Sequence, residues 1–148
     1  MSTGWQRFQE QFINFYPPFL GAGIRSRKID ANTVRVEMKL TALNRNIFGV
    51  HFGGSLYALC DPWFALILLR ELGSDYIVWD KAASIQFLQP GRGTVSATFH
   101  IPQDRIDEIR LAAESGQKIE PTFSVDVVDP NGGLIARVDK LLYVRRKK

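Results

Sequence analysis

Apolar and polar positions along the chain predict six strands and three helices. Val34, Val36, Met38 and Leu40 alternate with Arg35, Glu37 and Lys39, which is the period of a half-buried strand. A shorter strand precedes it from Ile24 to Ile29, with the hairpin turn at Asp30-Ala31-Asn32. Tyr76 to Leu88, followed by Val95, Ala97, Phe99 and Ile101, reads as a second antiparallel pair joined by the tight turn Pro90-Gly91-Arg92-Gly93. Phe123, Val125 and Val127 run into a turn at Asp129-Pro130-Asn131-Gly132-Gly133. Leu134 to Val144 returns as the last strand, and a slip of phase at Leu141-Leu142 predicts a bulge there.

The helical segments keep a different period. Trp5, Phe8, Phe12 and Phe15 lie three or four apart, which predicts an amphipathic helix stopped by Pro17-Pro18. From Leu56 to Leu69 the residues are apolar almost all round, so this helix must be enclosed by the rest of the fold. Asp61-Pro62 interrupts it, and it falls short of the roughly 20 residues that span a bilayer. Asp104 is placed to cap a third helix with Ile106, Ile109 and Ala113 on one side, ended by Gly116. Helices set apart from a mainly antiparallel sheet give an α+β fold.

Length and composition narrow the function. At 148 residues the chain is expected to form one domain, residues 1–148, with a core that needs no disulfide. The single Cys60 and the two histidines, His51 and His100, provide no Cys/His set for zinc, so no structural metal is expected. The N-terminus has no basic stretch followed by an apolar run, which points to the cytoplasm. The net charge of +4 comes from 19 basic and 15 acidic residues, and the tail Arg145-Arg146-Lys147-Lys148 carries all of the excess. That tail has no interleaved aromatics, so nucleic acid is not the expected partner.

Asp61 is the residue that most needs an explanation. An ionised carboxylate in an apolar helix costs several kcal/mol unless it is paired, hydrogen-bonded or open to a cleft. Gly54, Ala58, Asp61 and Ala65 form one stripe in which every member but the acid is small, so a narrow groove over Asp61 is expected. Pro62 lacks an N–H and frees the Ala58 carbonyl, which predicts a kink at the acid; Asp61 could equally serve the backbone groups loosened there. Gly49, Gly53 and Gly54 lead into the helix start, where free amides can hold an oxyanion. Arg92 between two glycines is a candidate phosphate contact. Cys60 and Trp63 read as core, His100 as a strand-end surface residue, and Lys81 beside Asp80 as a strand ion pair.

The stretch from Asn46 to Pro62 resembles the signature of hotdog-fold acyl-CoA thioesterases, in the phenylacetyl-CoA thioesterase-like branch. Asn46, Gly49, Gly53-Gly54 and Asp61 fall in register with it, and the stretch from Val78 to Val95 is similar to a hotdog branch known as a thioesterase-like domain of unknown function. The resemblance implies an antiparallel sheet wrapped around a long central helix. It also implies a homo-oligomer, a dimer or a dimer of dimers, with sites between subunits. Its implied activity is hydrolysis of an acyl-CoA or related thioester without a cofactor. Asp61 would be general base or nucleophile, the Gly53 amide would polarise the thioester carbonyl, and Asn46 would place the attacking group. His51, Phe52, Gly54 and Asp80 would lie beside the substrate with Arg92. The family's His-Gly-Gly reads Phe52-Gly53-Gly54 here, with His51 one position early, and Asp80 stands where some relatives place a hydroxyl. Two other readings stay open: an acyl-ligand binder without catalysis, and a hotdog dehydratase or hydratase, whose acid would fall at Ala65.

Overall fold

A computed structural model describes residues 12–148. After a 3₁₀ turn at Ile13–Phe15 come α1 (Pro17–Ala22), β1 (Ile24–Asp30), β2 (Thr33–Lys39), α2 (Gly53–Cys60), α3 (Trp63–Leu72), β3 (Tyr76–Phe87), β4 (Thr94–His100), α4 (Gln103–Ala113), β5 (Thr122–Val128) and β6 (Leu134–Arg146). The strands form one antiparallel sheet in the order β1-β2-β4-β5-β6-β3. Its inner face wraps the central helix, α2 followed by α3, which is the hotdog arrangement expected from the sequence.

The period-two residues supply that inner face. Val36 and Met38 of β2, Phe99 of β4, Val127 of β5 and Val138 of β6 are all fully buried, and so are Leu59, Ile67 and Leu68 on the helix. Each such side chain contributes about 1.5–3 kcal/mol by leaving water. Phe99 packs edge-on against Phe64 at 5.2 Å, fixing α3 to the middle of the sheet. No helix among the described residues is long and apolar enough to cross a membrane.

Several local expectations are corrected. Most of the expected opening helix lies outside the described residues; its described end, Phe12 and the 3₁₀ turn, stops before Pro17, and Pro17 and Pro18 also begin α1, because the first turn of a helix has no use for their missing N–H groups. Of the opening aromatics, Trp5 and Phe8 lie outside the described residues, and the Phe12 and Phe15 rings are exposed. The segments read as a second hairpin do not pair: β5 and β6 separate β4 from β3. Residues 88–93 instead bond outward, Leu88 N–H to the Ile135 carbonyl at 2.9 Å and the Gly91 carbonyl to the His51 N–H at 3.0 Å. Asp104 sits in the first turn of α4 while Pro102 holds the cap position.

The central helix is only half enclosed. In α3 Trp63, Phe64, Ile67 and Leu68 are buried, but along α2 the expected stripe opens to solvent at Gly54 and Asp61, and of its members only Ala65 is buried. The two segments meet at the break that Asp61-Pro62 predicts.

Candidate functional site

The break frees three carbonyls, and each finds a partner. Ala58 accepts the Asp61 N–H at 3.3 Å, Leu59 accepts the Trp63 indole N–H at 2.8 Å, and Asp61 accepts from the ammonium of Lys140 at 2.9 Å. The same ammonium lies 3.3 Å from Asp61 Oδ1, 3.0 Å from Asp80 Oδ2 and 3.3 Å from the Tyr57 hydroxyl. The Lys140 side chain is 0% exposed, against 54% for Asp61 and 23% for Asp80. One buried cation therefore lies beneath two carboxylates at the surface of the helix break.

Strand geometry explains how Asp80 and Lys140 meet. On β6 the inward positions are Ala136, Val138, Lys140, Leu142 and Val144, all buried. On β3, Asp80 pairs with Leu142 and Ala82 with Leu141, so Lys81 is the extra residue of a bulge. Asp80 thus faces inward beside Lys140, and Lys81 pairs with Glu120 rather than with Asp80. The expected irregularity at Leu141-Leu142 lies across the ladder, on β3. The phase of β6 does not slip at Leu141-Leu142, where a lysine in the inward position interrupts the apolar pattern; its own irregularity lies at Ile135, near the start of the strand.

Burial raises the Asp80 carboxyl above the ordinary aspartate range, and the neighbouring Asp61 adds to this while Lys140 opposes it. Burial acts to lower Lys140, but the hydrogen bond and charge of Asp80, with Tyr57, outweigh it and hold the ammonium above the usual lysine range. Oδ1 of Asp80 is buried without a hydrogen-bond partner.

A second group of residues gathers at the start of α2. Buried Asn44 ties down residues 40–52: its Oδ1 accepts the Thr41 N–H at 2.7 Å and its Nδ2 donates to the carbonyls of Ala22 at 2.7 Å and Lys39 at 2.8 Å. Asn46 Oδ1 accepts the N–H groups of Phe48 at 2.9 Å and Val50 at 3.3 Å, shaping the turn that leads to the helix. Helical bonding onto the Phe52 carbonyl begins at Ser55 and Leu56, leaving the Gly53 and Gly54 amides without intrahelical partners. Asn46, His51, Gly53 and Arg92 line a cleft of about 470 Å³ whose apolar wall includes Phe48, Leu56 and Phe87.

His51 is buried, with Nε2 2.8 Å from the Gly93 carbonyl, and a Cβ at Gly91 would lie 3.1 Å from its ring. Burial lowers its pKa. Its ring thus links the loop to residues 91–93, while the Phe52 ring is exposed and lies over Gly54.

The structure therefore brings the predicted residues together as two groups, Asn46, His51, Gly53 and Arg92 in one and Asp61 with Asp80 in the other. Sequence reasoning missed Lys140 and Tyr57; the signal for Lys140 was its place in phase between Val138 and Leu142. Cys60 is fully buried and its thiol is pushed up to about 12, mainly by burial. It is expected to resist a thiol reagent at pH 8 in the folded protein and to react fully in denaturant; equal labelling in the two states would contradict this packing. Among the described residues no cluster of three His, Cys, Asp or Glu side chains is placed to hold a metal ion.

The chain is similar in structure to a protein of unknown function from Pseudomonas aeruginosa described as a probable thioesterase, with a TM-score of 0.86, 19% identity, and 99% of this chain and 98% of that chain covered. It is similar to a thioesterase from Haemophilus influenzae (TM-score 0.70, 15% identity, 99% and 93% covered). The PaaI protein from the phenylacetic acid degradation operon of E. coli is a third such structure (TM-score 0.64, 21% identity, 97% and 93% covered). A comparison with curated proteins finds no match. At these identities the likenesses establish the fold alone, the hotdog arrangement described above. The family described as a domain of unknown function (DUF4442) matches residues 4–144, and the chain belongs to that family.

Proposed function

We propose that this protein hydrolyses an acyl-CoA or related thioester at a site shared by two copies of the chain. The observation that carries the reading is the pairing, on one helix, of free amides at Gly53 with an exposed carboxylate at Asp61. Asp61 takes a proton from water as the water oxygen bonds to the thioester carbonyl carbon. The Gly53 N–H receives the developing oxyanion. The carbon–sulfur bond then breaks, and Asp61 returns the proton to sulfur, giving a carboxylic acid and the CoA thiol. Asn46, whose Oδ1 is committed to its own loop, offers its amide nitrogen to the thioester or the water. The thioesterase names of the H. influenzae and P. aeruginosa structures agree with this chemistry.

Gly53 and Asp61 are eight positions apart, about 12 Å along a helix, too far for both to touch one thioester. A second copy supplies the missing half. β3 is an edge strand with Ala82, Ala83 and Phe87 exposed, the surface on which a second copy would pair. Light scattering at micromolar concentration should give at least a dimer mass.

The test is thiol release from acyl-CoA substrates of increasing chain length. Turnover with any of them supports hydrolysis, whereas binding with no turnover would favour an acyl-ligand binder. Dehydratase chemistry is disfavoured because Ala65, where its acid would fall, is an apolar, buried residue. Arg92, exposed at the cleft, is the proposed contact for the CoA phosphates. Arg92→Ala should raise KM a few fold, roughly 1 kcal/mol, with kcat little changed and the effect shrinking as salt is added. Unchanged kinetics at low salt would remove Arg92 from the site.

A further inference from the structure

Lys140 is the polar intruder on an otherwise apolar inner face of β6. Burying an ammonium is unfavourable unless its N–H groups are all used, and an apolar residue of similar volume often serves the fold as well or better. Here the donors are used, and two of the four acceptors belong to a single residue. The ammonium holds the main-chain carbonyl of Asp61 at 2.9 Å and its Oδ1 at 3.3 Å, so backbone and carboxylate are gripped by one point. The rest of the Asp61 side chain faces solvent, with the Asp80 carboxyl as a further polar neighbour. The remaining contacts, Asp80 and Tyr57, tie that grip to β3 and to the preceding helix turn. We infer that Lys140 is the positioning residue of the site, holding the Asp61 carboxylate in one direction and linking its charge to that of Asp80; this rests on the hydrolytic reading above.

The titratable groups facing the ammonium are Tyr57, whose ring centroid is 5.2 Å away, Cys60, Asp61 and Asp80; β5 presents the apolar Phe123 opposite Lys140. Lysine at this position opposes the upward pull of burial and of Asp61 on the Asp80 carboxyl. Without the ammonium only the raising influences remain, so Asp80 should hold its proton to higher pH. Asp61 and Asp80 share the ammonium, so a pair that takes up its proton at higher pH should move the acid limb of the rate profile the same way.

The experiment compares wild type with Lys140→Met, Lys140→Arg and the double variant Lys140→Met/Asp80→Asn, using hexanoyl-CoA from about pH 5 to 9. Lys140→Met is expected to lower kcat about 100-fold with KM within about twofold, and to move the acid limb up by about one pH unit. Lys140→Arg keeps the charge and should recover part of the rate and the wild-type limb. The double variant removes the unpaired buried charge and should regain the melting temperature of wild type without regaining kcat. Wild-type kcat in Lys140→Met, or recovery of both Tm and kcat in the double variant, would reduce Lys140 to a purely structural role and overturn the inference. Carboxyl NMR titration of Asp80 in wild type and Lys140→Met needs no turnover. If wild type hydrolyses no thioester, the hydrolytic reading fails by itself, and an unmoved Asp80 titration overturns the inference separately.

Discussion

Asp61→Asn is expected to leave the fold intact and to lower kcat for acyl-CoA hydrolysis by about 10²–10⁴-fold, the range a positioned general base supplies. The amide has the shape of the carboxylate and can still accept from Lys140 through its oxygen. The main-chain carbonyl at the break keeps its 2.9 Å contact with the ammonium. What the amide cannot do is take a proton from water. The loss should therefore fall on kcat with KM nearly unchanged, and circular dichroism and the melting temperature should stay close to wild type. Rates equal to wild type would end the assignment of Asp61 as base. A large drop in Tm together with kcat would instead mean that the charge serves the fold.

The division between what could and could not be read from the sequence follows physical lines. Period-two alternation says which face of a strand is buried, and it placed β2, β4 and β5 to within a residue or two. It is silent on which strands are neighbours. Tyr76 to Leu88 and Val95 to Ile101 were therefore joined as a hairpin on the strength of the turn between them, although the hydrogen-bonding groups of that turn go to Ile135, His51 and Leu40. The break at Asp61-Pro62 was legible because proline acts through its own missing N–H, a local effect. Pro17-Pro18 act through the same local property, which ends the preceding 3₁₀ turn and also suits the first turn of α1, an element the periodicity did not predict.

The candidate site divides in the same way. Asp61 stood out as a charge in an apolar run, and Gly53 and Asn46 through their place at the helix entrance. Lys140 was hidden because a lone lysine in a strand ordinarily marks the solvent face. Only the inward phase of Val138 and Leu142 on either side contradicts that rule, and the adjacent Leu141 masks it. Asp80 faces Lys140 because it keeps the inward phase of Tyr76 and Val78, and the bulge at Lys81 shifts the facing only of the later residues of β3.

The largest gain, as opposed to loss, is expected from mixing two inactive proteins. Gly53 opens α2 as its first residue, preceded by Phe52 at φ −62° and ψ 131°, the extended conformation that a following proline requires. Gly53→Pro therefore removes the amide N–H at a position where proline suits the helix. The added ring atoms crowd Phe87, 3.1 Å from a Cβ at Gly53, but that side chain is 59% exposed and can move aside. Gly53→Pro and Asp61→Asn should each be folded and nearly inactive. If each site takes Asp61 from one copy and Gly53 from the other, a mixed dimer has one dead site carrying both lesions and one site carrying neither. Co-refolding equal amounts makes half of the dimers mixed, so activity should recover to about one quarter of wild type. A site built within a single chain, which the roughly 12 Å between these two residues opposes, would give no recovery at all. Absence of recovery with mixed dimers demonstrably present, for example by differential tagging and tandem purification, would overturn the shared site.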